Sequence, residues 1–324
     1  MIADMERDTR FDNLKFMLMI LVIAGHSLAR MGGGKNSSLV VNYIYVFHMP
    51  MFIFISGYFS KKQQWVKFKQ GIIKLLTILL VFEVINLVGQ LVVYRSFIPF
   101  DRPYWTLWYI LSLIYWRIFI QLTGERILRY KGLTSIISLL ASIIIGLIPL
   151  GYTLSIQRTI VFLPFFLAGY YCRENGYEKV LSVKTYLLIP VLVVGYILTT
   201  YMTFNGMPVL EILQGAHHYN QLDVTNLSLI FYRMIFMLIS ASACIMFAKI
   251  INLSHPLISQ EGSHSLFYYI YHGMLIDYFF YPIMRLLNIQ PSLIFAFIVT
   301  ALIIIILFYM RKIRLFNTIL LQNK

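Results

Sequence analysis

Ten stretches of this chain stay apolar for about the thickness of a bilayer, and that constrains the fold before any other feature. A helix needs about 20 mostly apolar residues to cross hydrocarbon. Stretches near residues 11–31, 40–60, 71–94, 104–123, 133–151, 158–172, 184–203, 226–250, 264–286 and 291–311 approach that length. Hydrocarbon offers no partner for a backbone amide, so such spans are helical. The expectation is an all-α, polytopic membrane bundle of about ten transmembrane helices, with one integral-membrane domain over residues 1–324. With 59% of residues hydrophobic and 12% charged, little chain remains for a soluble domain. The sixth stretch is the shortest, and Pro164 would kink it. Arg7 and Arg10 lead into a full-length span that carries polar residues, so no cleavable signal is expected.

The formal net charge is +14, from 27 basic and 13 acidic residues. In a soluble chain this would point to nucleic acid; here topology accounts for it, and no nucleic-acid partner is expected. With the N-terminus inside, the inner segments hold 17 Lys and Arg, from Arg7 and Arg10 through Lys61 and Lys62 to Arg311, Lys312, Arg314 and Lys324. The outer segments hold 6: Arg30, Lys35, Arg95, Arg102, Arg158 and Arg285. The positive-inside rule then places both termini in the cytoplasm, as an even number of spans also requires. The inner loop from Lys61 through Lys67 and Lys69 to Lys74 is the densest basic cluster. It either enforces topology or receives an anionic cytosolic ligand. The longest outer loop, 204–225, carries Glu211, His217, His218 and Asp223 and no Lys or Arg. Adjacent histidines without further ligand spacing do not make a metal site, and none is expected. Cys172 and Cys244 fall at or within spans, so no disulfide framework is implied.

Ionisable side chains inside spans are costly and mark functional candidates. His26 lies deep in the first span, with ten residues between it and Lys15. At 1.5 Å per residue the two are roughly 16 Å apart along a helix. Its rival role is a structural bond to a neighbouring helix. His48, two residues before Pro50, reaches a similar depth from the opposite direction in the second span, where the proline removes a backbone bond and would bend the helix. The two imidazoles share a site or His48 is structural. His272, crowded by Tyr268, Tyr269 and Tyr271, either orients a site residue or caps a tyrosine hydroxyl. Asp277 is also deep. Glu83 and Arg233 are too deep to stand alone, and a buried ion pair between them is expected. Lys15, Lys74 and Arg117 lie near inner ends, where they can snorkel to headgroups. Trp105, Trp108 and Tyr109 open the fourth span, either as an interfacial aromatic belt or as a platform for a sugar ring. Gly32-Gly33-Gly34 is a hinge, with no preceding strand to make it a phosphate loop.

Five motifs in order resemble the membrane-bound acyltransferase 3 family, in particular its fucose 4-O-acetylase-like branch of cell-surface polysaccharide O-acetyltransferases. They are Arg10-x-Asp12-x-x-Lys15 with Gly25-His26; Met49-Pro50-x-Phe52 with Ser56-Gly57-Tyr58; Leu107-Trp108-Tyr109; Phe165-Phe166-Leu167-x-Gly169-Tyr170; and Gly262-x-x-Ser265-Leu266-x-x-Tyr269-x-x-His272. The resemblance implies a multi-pass protein of the bacterial plasma membrane. It would move an acetyl group from cytosolic acetyl-CoA to a hydroxyl of an extracytoplasmic polysaccharide or lipid-linked glycan. The family's basic residue and essential histidine correspond to Lys15 and His26. One departure is that Lys67, Lys69 and Lys74 stand where relatives carry an arginine-rich stretch ending in proline, with Thr77 at the proline's place.

O-acetylation needs a base for the acceptor hydroxyl and a group that stabilises the developing oxyanion. His26 is the expected base or transient acetyl carrier, near neutral pH by its nature. Catalytic support is expected from Lys15, Asp12, His48 and His272. CoA phosphates are expected on Arg10, Lys67, Lys69 and Lys74, with Lys15 adding a point charge, and the acceptor on Trp105, Trp108 and Tyr109. Donor and acceptor lie on opposite faces, so the bundle is expected to offer a passage to its middle. The rival reading is a transporter or flippase of lipid-linked sugars; against it stand the lack of corresponding broken helices and of an internal repeat.

Overall fold

A computed structural model describes residues 8–97, 99, 101–173, 176–252 and 256–320. Arg7 and Lys324, counted above among the inner charges, lie outside the described residues. Helices run in the order α1 (Thr9–Met31), α2 (Gly34–Tyr58), α3 (Trp65–Tyr94), α4 (Trp108–Arg129), α5 (Lys131–Ile144), α6 (Ile156–Val161), α7 (Leu163–Tyr171) and α8 (Gly176–Ser182). They continue with α9 (Thr185–Phe204), α10 (Val209–Gln214), α11 (Asn226–Ile250), α12 (Pro256–Gly262), α13 (Ser265–Leu275), α14 (Tyr281–Leu286), α15 (Leu293–Met310) and α16 (Arg314–Ile319). A π-helical turn, Ile276–Phe280, joins α13 to α14. All regular structure among the described residues is helical.

Among the described residues six helices, α1, α2, α3, α9, α11 and α15, are long and apolar enough to cross a membrane. The other four expected spans are helical but depart from that pattern. The fourth is α4, which carries Arg117, Gln121, Glu125, Arg126 and Arg129. The fifth is α5, only 14 residues long and tightening into a 3-10 turn. The sixth breaks at Phe162 into α6 and α7, with Pro164 in the first turn of α7. The ninth is interrupted by the π-turn. Irregular backbone of this kind is tolerated where protein rather than lipid surrounds it. Outer loop 204–225 also departs from a simple loop, since it contains α10, which packs on α2.

Helix α1 begins at Asp8, whose carboxylate accepts the amide of Arg10. Ser292 caps α15 and Thr225 caps α11 in the same way. The core sits around α1 and α2, whose apolar windows are 61% and 72% buried, against 28% for α3, α9 and α15. The outer helices expose large apolar side chains instead, such as Leu80, Val84 and Val92 of α3. A soluble surface does not carry such a contiguous apolar face; a lipid-facing one does.

Small residues let the central helices close. A Cβ on Gly57 of α2 would lie 1.9 Å from the carbonyl oxygen of Phe166, and one on Gly169 of α7 would lie 1.9 Å from that of Phe54. The two glycines therefore serve one reciprocal backbone contact. A Cβ on Gly262 would lie 1.7 Å from the carbonyl oxygen of Asp12, so the end of α12 is pressed against α1.

The expected Glu83–Arg233 ion pair is not formed. Glu83 accepts the amide of Tyr104 at 2.9 Å, whereas Arg233 lies 5.1 Å from the ring centre of Tyr219 with its nitrogens lacking hydrogen-bond partners. Their helices pack in different places, α3 on α4 and α11 on α2 and α9. Asp277 pairs instead with Arg30 at 3.0 Å, and Arg311 with Glu261 at 2.6 Å.

Candidate active site

Three histidines from three helices converge. Gly25 lets α1 approach Ile44 and Tyr45 of α2, where a Cβ would meet the Ile44 side chain at 3.0 Å. The next residue, His26, thereby faces α2 and α13. His26 is 8% exposed, His48 1% and His272 0%. Ring centres of His26 and His272 are 5.1 Å apart, and those of His26 and His48 are 6.4 Å apart.

The hydrogen bonds fix which nitrogen is basic. Nδ1 of His272 lies 3.1 Å from the carbonyl oxygen of Tyr268, which can only accept, so Nδ1 carries the hydrogen. In the neutral ring Nε2 is then an acceptor, and the partner 2.8 Å away, Nδ1 of His26, must donate to it. The lone pair of His26 is left on Nε2, on the other side of its ring. By the same logic His48 donates from Nδ1 to the carbonyl oxygen of Ile44 at 2.8 Å, leaving a bare, buried Nε2. The tautomers follow from the network rather than from hydrogen positions. The arrangement holds one base oriented by a second imidazole, beside a further acceptor nitrogen.

His26 and His48 line one cavity with Tyr45, Trp105, Trp108, Arg158 and Tyr269. Trp105 lies 4.6 Å from the His26 ring, centre to centre. Trp108 is 8% exposed and stacks at 5.6 Å on Phe162, so both indoles turn inward instead of forming an interfacial belt around the protein. Tyr109 faces elsewhere: its hydroxyl is 2.5 Å from Oγ of Ser56, and its ring packs on Tyr269. The segment bearing Trp105 is held against α13, where Tyr269 donates to the carbonyl oxygen of Thr106 and Gly273 leaves room for the Thr106 side chain.

The cavity continues toward the Arg30 end of α1. A second chamber shares Tyr45, Trp105 and Gln214 with it and adds Arg30, Gln90, Tyr104 and Asp277. Asp277 sits in the π-turn, paired with Arg30 and accepting the Tyr104 hydroxyl at 2.5 Å. Gln214 comes from α10, within the stretch expected to be a simple outer loop.

At the opposite end, Lys15 and Asp12 are paired at 2.6 Å. The structure does not bring them to the histidines; about 16 Å of helix intervenes. Arg10 is bound to Asp8 at 2.9 Å and Glu178 at 2.8 Å. A cavity at this end is lined by Ser60, Lys61, Gln63, Gly71 and Arg117. Lys67, Lys69 and Lys74 are exposed and do not line it. Ser56 and Tyr109, joined through their hydroxyls, lie between the two cavities along α2 and α4.

Sequence reasoning assigned no site role to three cavity-lining residues, Arg158, Tyr45 and Arg117. Arg158 had been counted as an outer topogenic charge. The chain reaches it through Leu154 and Ser155, both left-handed with φ of 46° and 55°. Helix α6 is then pinned to α4, where Trp116 donates to the Thr159 carbonyl at 3.1 Å and Ser112 meets the Thr159 hydroxyl at 2.7 Å. Only the run of polar residues at Gln157, Arg158 and Thr159 inside an apolar stretch hinted at this.

A family model described as "Acyltransferase domain" matches residues 8–310 of the chain. Neither curated proteins nor solved structures give a match.

Proposed function

Because the chain belongs to the acyltransferase 3 family, we propose that it carries an acetyl group from cytosolic acetyl-CoA to a hydroxyl of an extracytoplasmic cell-surface glycan. The observation that carries this reading is the free Nε2 of His26, presented to a cavity by a tautomer that His272 selects. A neutral imidazole so held is a general base, and the family supplies an acyl donor and an acceptor for it to act between. His26 removes the acceptor proton. His272 is a positioning residue, and the bare Nε2 of His48 accepts from a second acceptor hydroxyl.

The distribution of Lys and Arg supports ten crossings with both termini cytoplasmic. The Lys15 end then faces the cytosol, and the chamber of Arg30, Asp277 and Trp105 faces outward. Its mixture of aromatic rings with charged and amide groups suits a sugar, whose hydroxyls need partners and whose ring faces stack. The inner cavity of Lys61, Gln63 and Arg117 suits the CoA phosphates, Arg117 offering a planar fork that the α3 lysines lack. The pantetheine arm passes between Ser56 and Tyr109 to bring the thioester to His26. The protein is one bacterial plasma-membrane acyltransferase unit.

The test is acetyl transfer in proteoliposomes loaded with acetyl-CoA, using deacetylated envelope polysaccharide as acceptor. Wild-type protein transfers acetyl groups, detected by mass spectrometry of the glycan, and His26→Ala does not. Acetyl-CoA also raises the melting temperature of the purified protein, because a ligand of the folded state stabilises it. Undiminished transfer by His26→Ala would remove the reading.

A further inference from the structure

His26 can take a proton, but the negative charge that forms on the thioester oxygen also needs a partner. We infer that Arg158 is that partner, a catalytic residue donating to the carbonyl oxygen of the acetyl group. The inference rests on acyl transfer taking place at His26.

Arg158 is 7% exposed and lines the cavity that holds His26. Its Nε has no hydrogen-bond partner. The guanidinium lies 5.0 Å from the Trp108 ring centre and 4.9 Å from that of Tyr152. The hydroxyl of Tyr152 is a neutral partner to the guanidinium and also bonds His217 at 2.8 Å, so it brings no counter-charge. The residues lining the cavity include no Asp or Glu, and among the described residues no carboxylate pairs with Arg158. Two other arginines do have one: Arg30, in the adjoining chamber, has Asp277, and Arg311 has Glu261; Arg117, in the inner cavity, has none but lies away from the histidines. A permanent cation buried without a counter-ion is costly, and the cost is offset when an anion arrives. Arg233 is more buried, and all three of its guanidinium nitrogens lack partners, but it does not line this cavity.

The anchoring of α6 makes the group rigid. The Thr159 contacts to Trp116 and Ser112 hold it on one side, and Gln157 donates to the His217 carbonyl at 2.6 Å on the other. A fixed donor that need not reorganise is what oxyanion stabilisation requires.

The step balances. Nε2 of His26 takes the acceptor hydroxyl proton as the acceptor oxygen bonds to the thioester carbon. The carbonyl π pair moves onto oxygen, which accepts from Arg158. On collapse that pair re-forms the carbonyl, the carbon–sulfur bond breaks, and the CoA thiolate takes the proton from Nε2. Enzyme and charge return to their starting state.

The experiment compares wild type with Arg158→Lys, Arg158→Gln and Arg158→Ala in proteoliposomes. It measures acetyl transfer to deacetylated envelope polysaccharide and, separately, acetyl-CoA hydrolysis with no acceptor. Loss of one such donor typically lowers kcat about 10²–10³-fold, and that is expected for Arg158→Gln with KM for acetyl-CoA unchanged. Hydrolysis falls in parallel, since water attack forms the same oxyanion. Arg158→Lys keeps the charge and loses less, and added guanidinium restores part of the activity of Arg158→Ala. Undiminished kcat in the substituted proteins overturns the inference. So does a loss confined to KM for the polysaccharide with hydrolysis intact, which would make Arg158 a holder of an acidic sugar. Unfolding of every variant would make it structural and overturn it equally. If wild-type protein transfers nothing, the reading of His26 fails instead.

Discussion

His26 donates from Nδ1 to Nε2 of His272 across 2.8 Å, linking helices 246 positions apart in the chain. The carbonyl of Tyr268 behind His272 sets the direction of that bond, and with it the nitrogen His26 presents to the cavity. Replacing His26 with Ala is expected to lower kcat about 10²–10⁴-fold, the usual worth of a general base. His272→Leu leaves the base but frees its ring and tautomer. Residues that orient a functional histidine typically matter by about 10–100-fold, and a loss of that size is expected. His272→Gln, whose side-chain oxygen can accept the same bond, recovers part of it. Initial rates of acetyl transfer in proteoliposomes distinguish the three.

The same bond predicts a pH dependence. His26 is active with Nε2 bare, and protonation there removes the base. The rate per acetyl-CoA encounter, kcat/KM, therefore falls as pH is lowered, with a slope of one proton, and levels off above. Any residual activity of His26→Ala lacks that limb. A pH profile of kcat/KM for both proteins is the check; identical acid limbs would assign the titration to another group.

On the proposed donor route, the 2.5 Å bond between Ser56 and Tyr109 stands as a barrier between the Arg117 cavity and His26. Tyr109→Phe removes the hydroxyl and keeps the ring against Tyr269. With the barrier weakened, water and thioester meet more often at the base, so acetyl-CoA hydrolysis without acceptor is expected to rise. No change in hydrolysis would place the barrier elsewhere.

Among the inner basic residues, only those lining the cavity should matter strongly to the donor. Arg117→Gln and Lys61→Gln are each expected to weaken acetyl-CoA binding about tenfold, equivalent to about 1.4 kcal/mol. Lys67→Gln, Lys69→Gln and Lys74→Gln should shift it less, and mainly at low salt, as exposed charges do. Isothermal titration with acetyl-CoA at two ionic strengths separates the groups.

Gly57 and Gly169 test the packing that holds α2 against α7. Each faces a carbonyl oxygen at 1.9 Å from where a Cβ would sit, and backbone cannot yield as a side chain can. Gly57→Ala and Gly169→Ala are each expected to cost about 1–3 kcal/mol or more by overpacking. The melting temperature in detergent reads this directly. Because both serve one contact, the double substitution should cost less than the two single costs combined.

Residue order alone was enough to read a helical membrane protein and the deep placement of His26. Burial in hydrocarbon depends on the composition of a continuous segment, and a backbone in lipid has no option but to satisfy its own amides, so these properties are local. Partners are not local. Glu83 and Arg233 looked paired because both are deep, yet depth leaves open which side of a helix a residue occupies and which helix stands opposite. Arg158 looked like an outer charge because it follows a short connection, and two left-handed residues plus the grip of Trp116 on Thr159 turn it into the site. Only the packed bundle decided that His26 faces His272, that a chamber lined by Arg30 adjoins its cavity, and that Lys61 and Arg117 rather than Lys67, Lys69 and Lys74 line the opposite one. Each of those outcomes depends on how helices far apart in the chain rotate about their axes, and that rotation is set by side-chain fit across interfaces that no single segment contains.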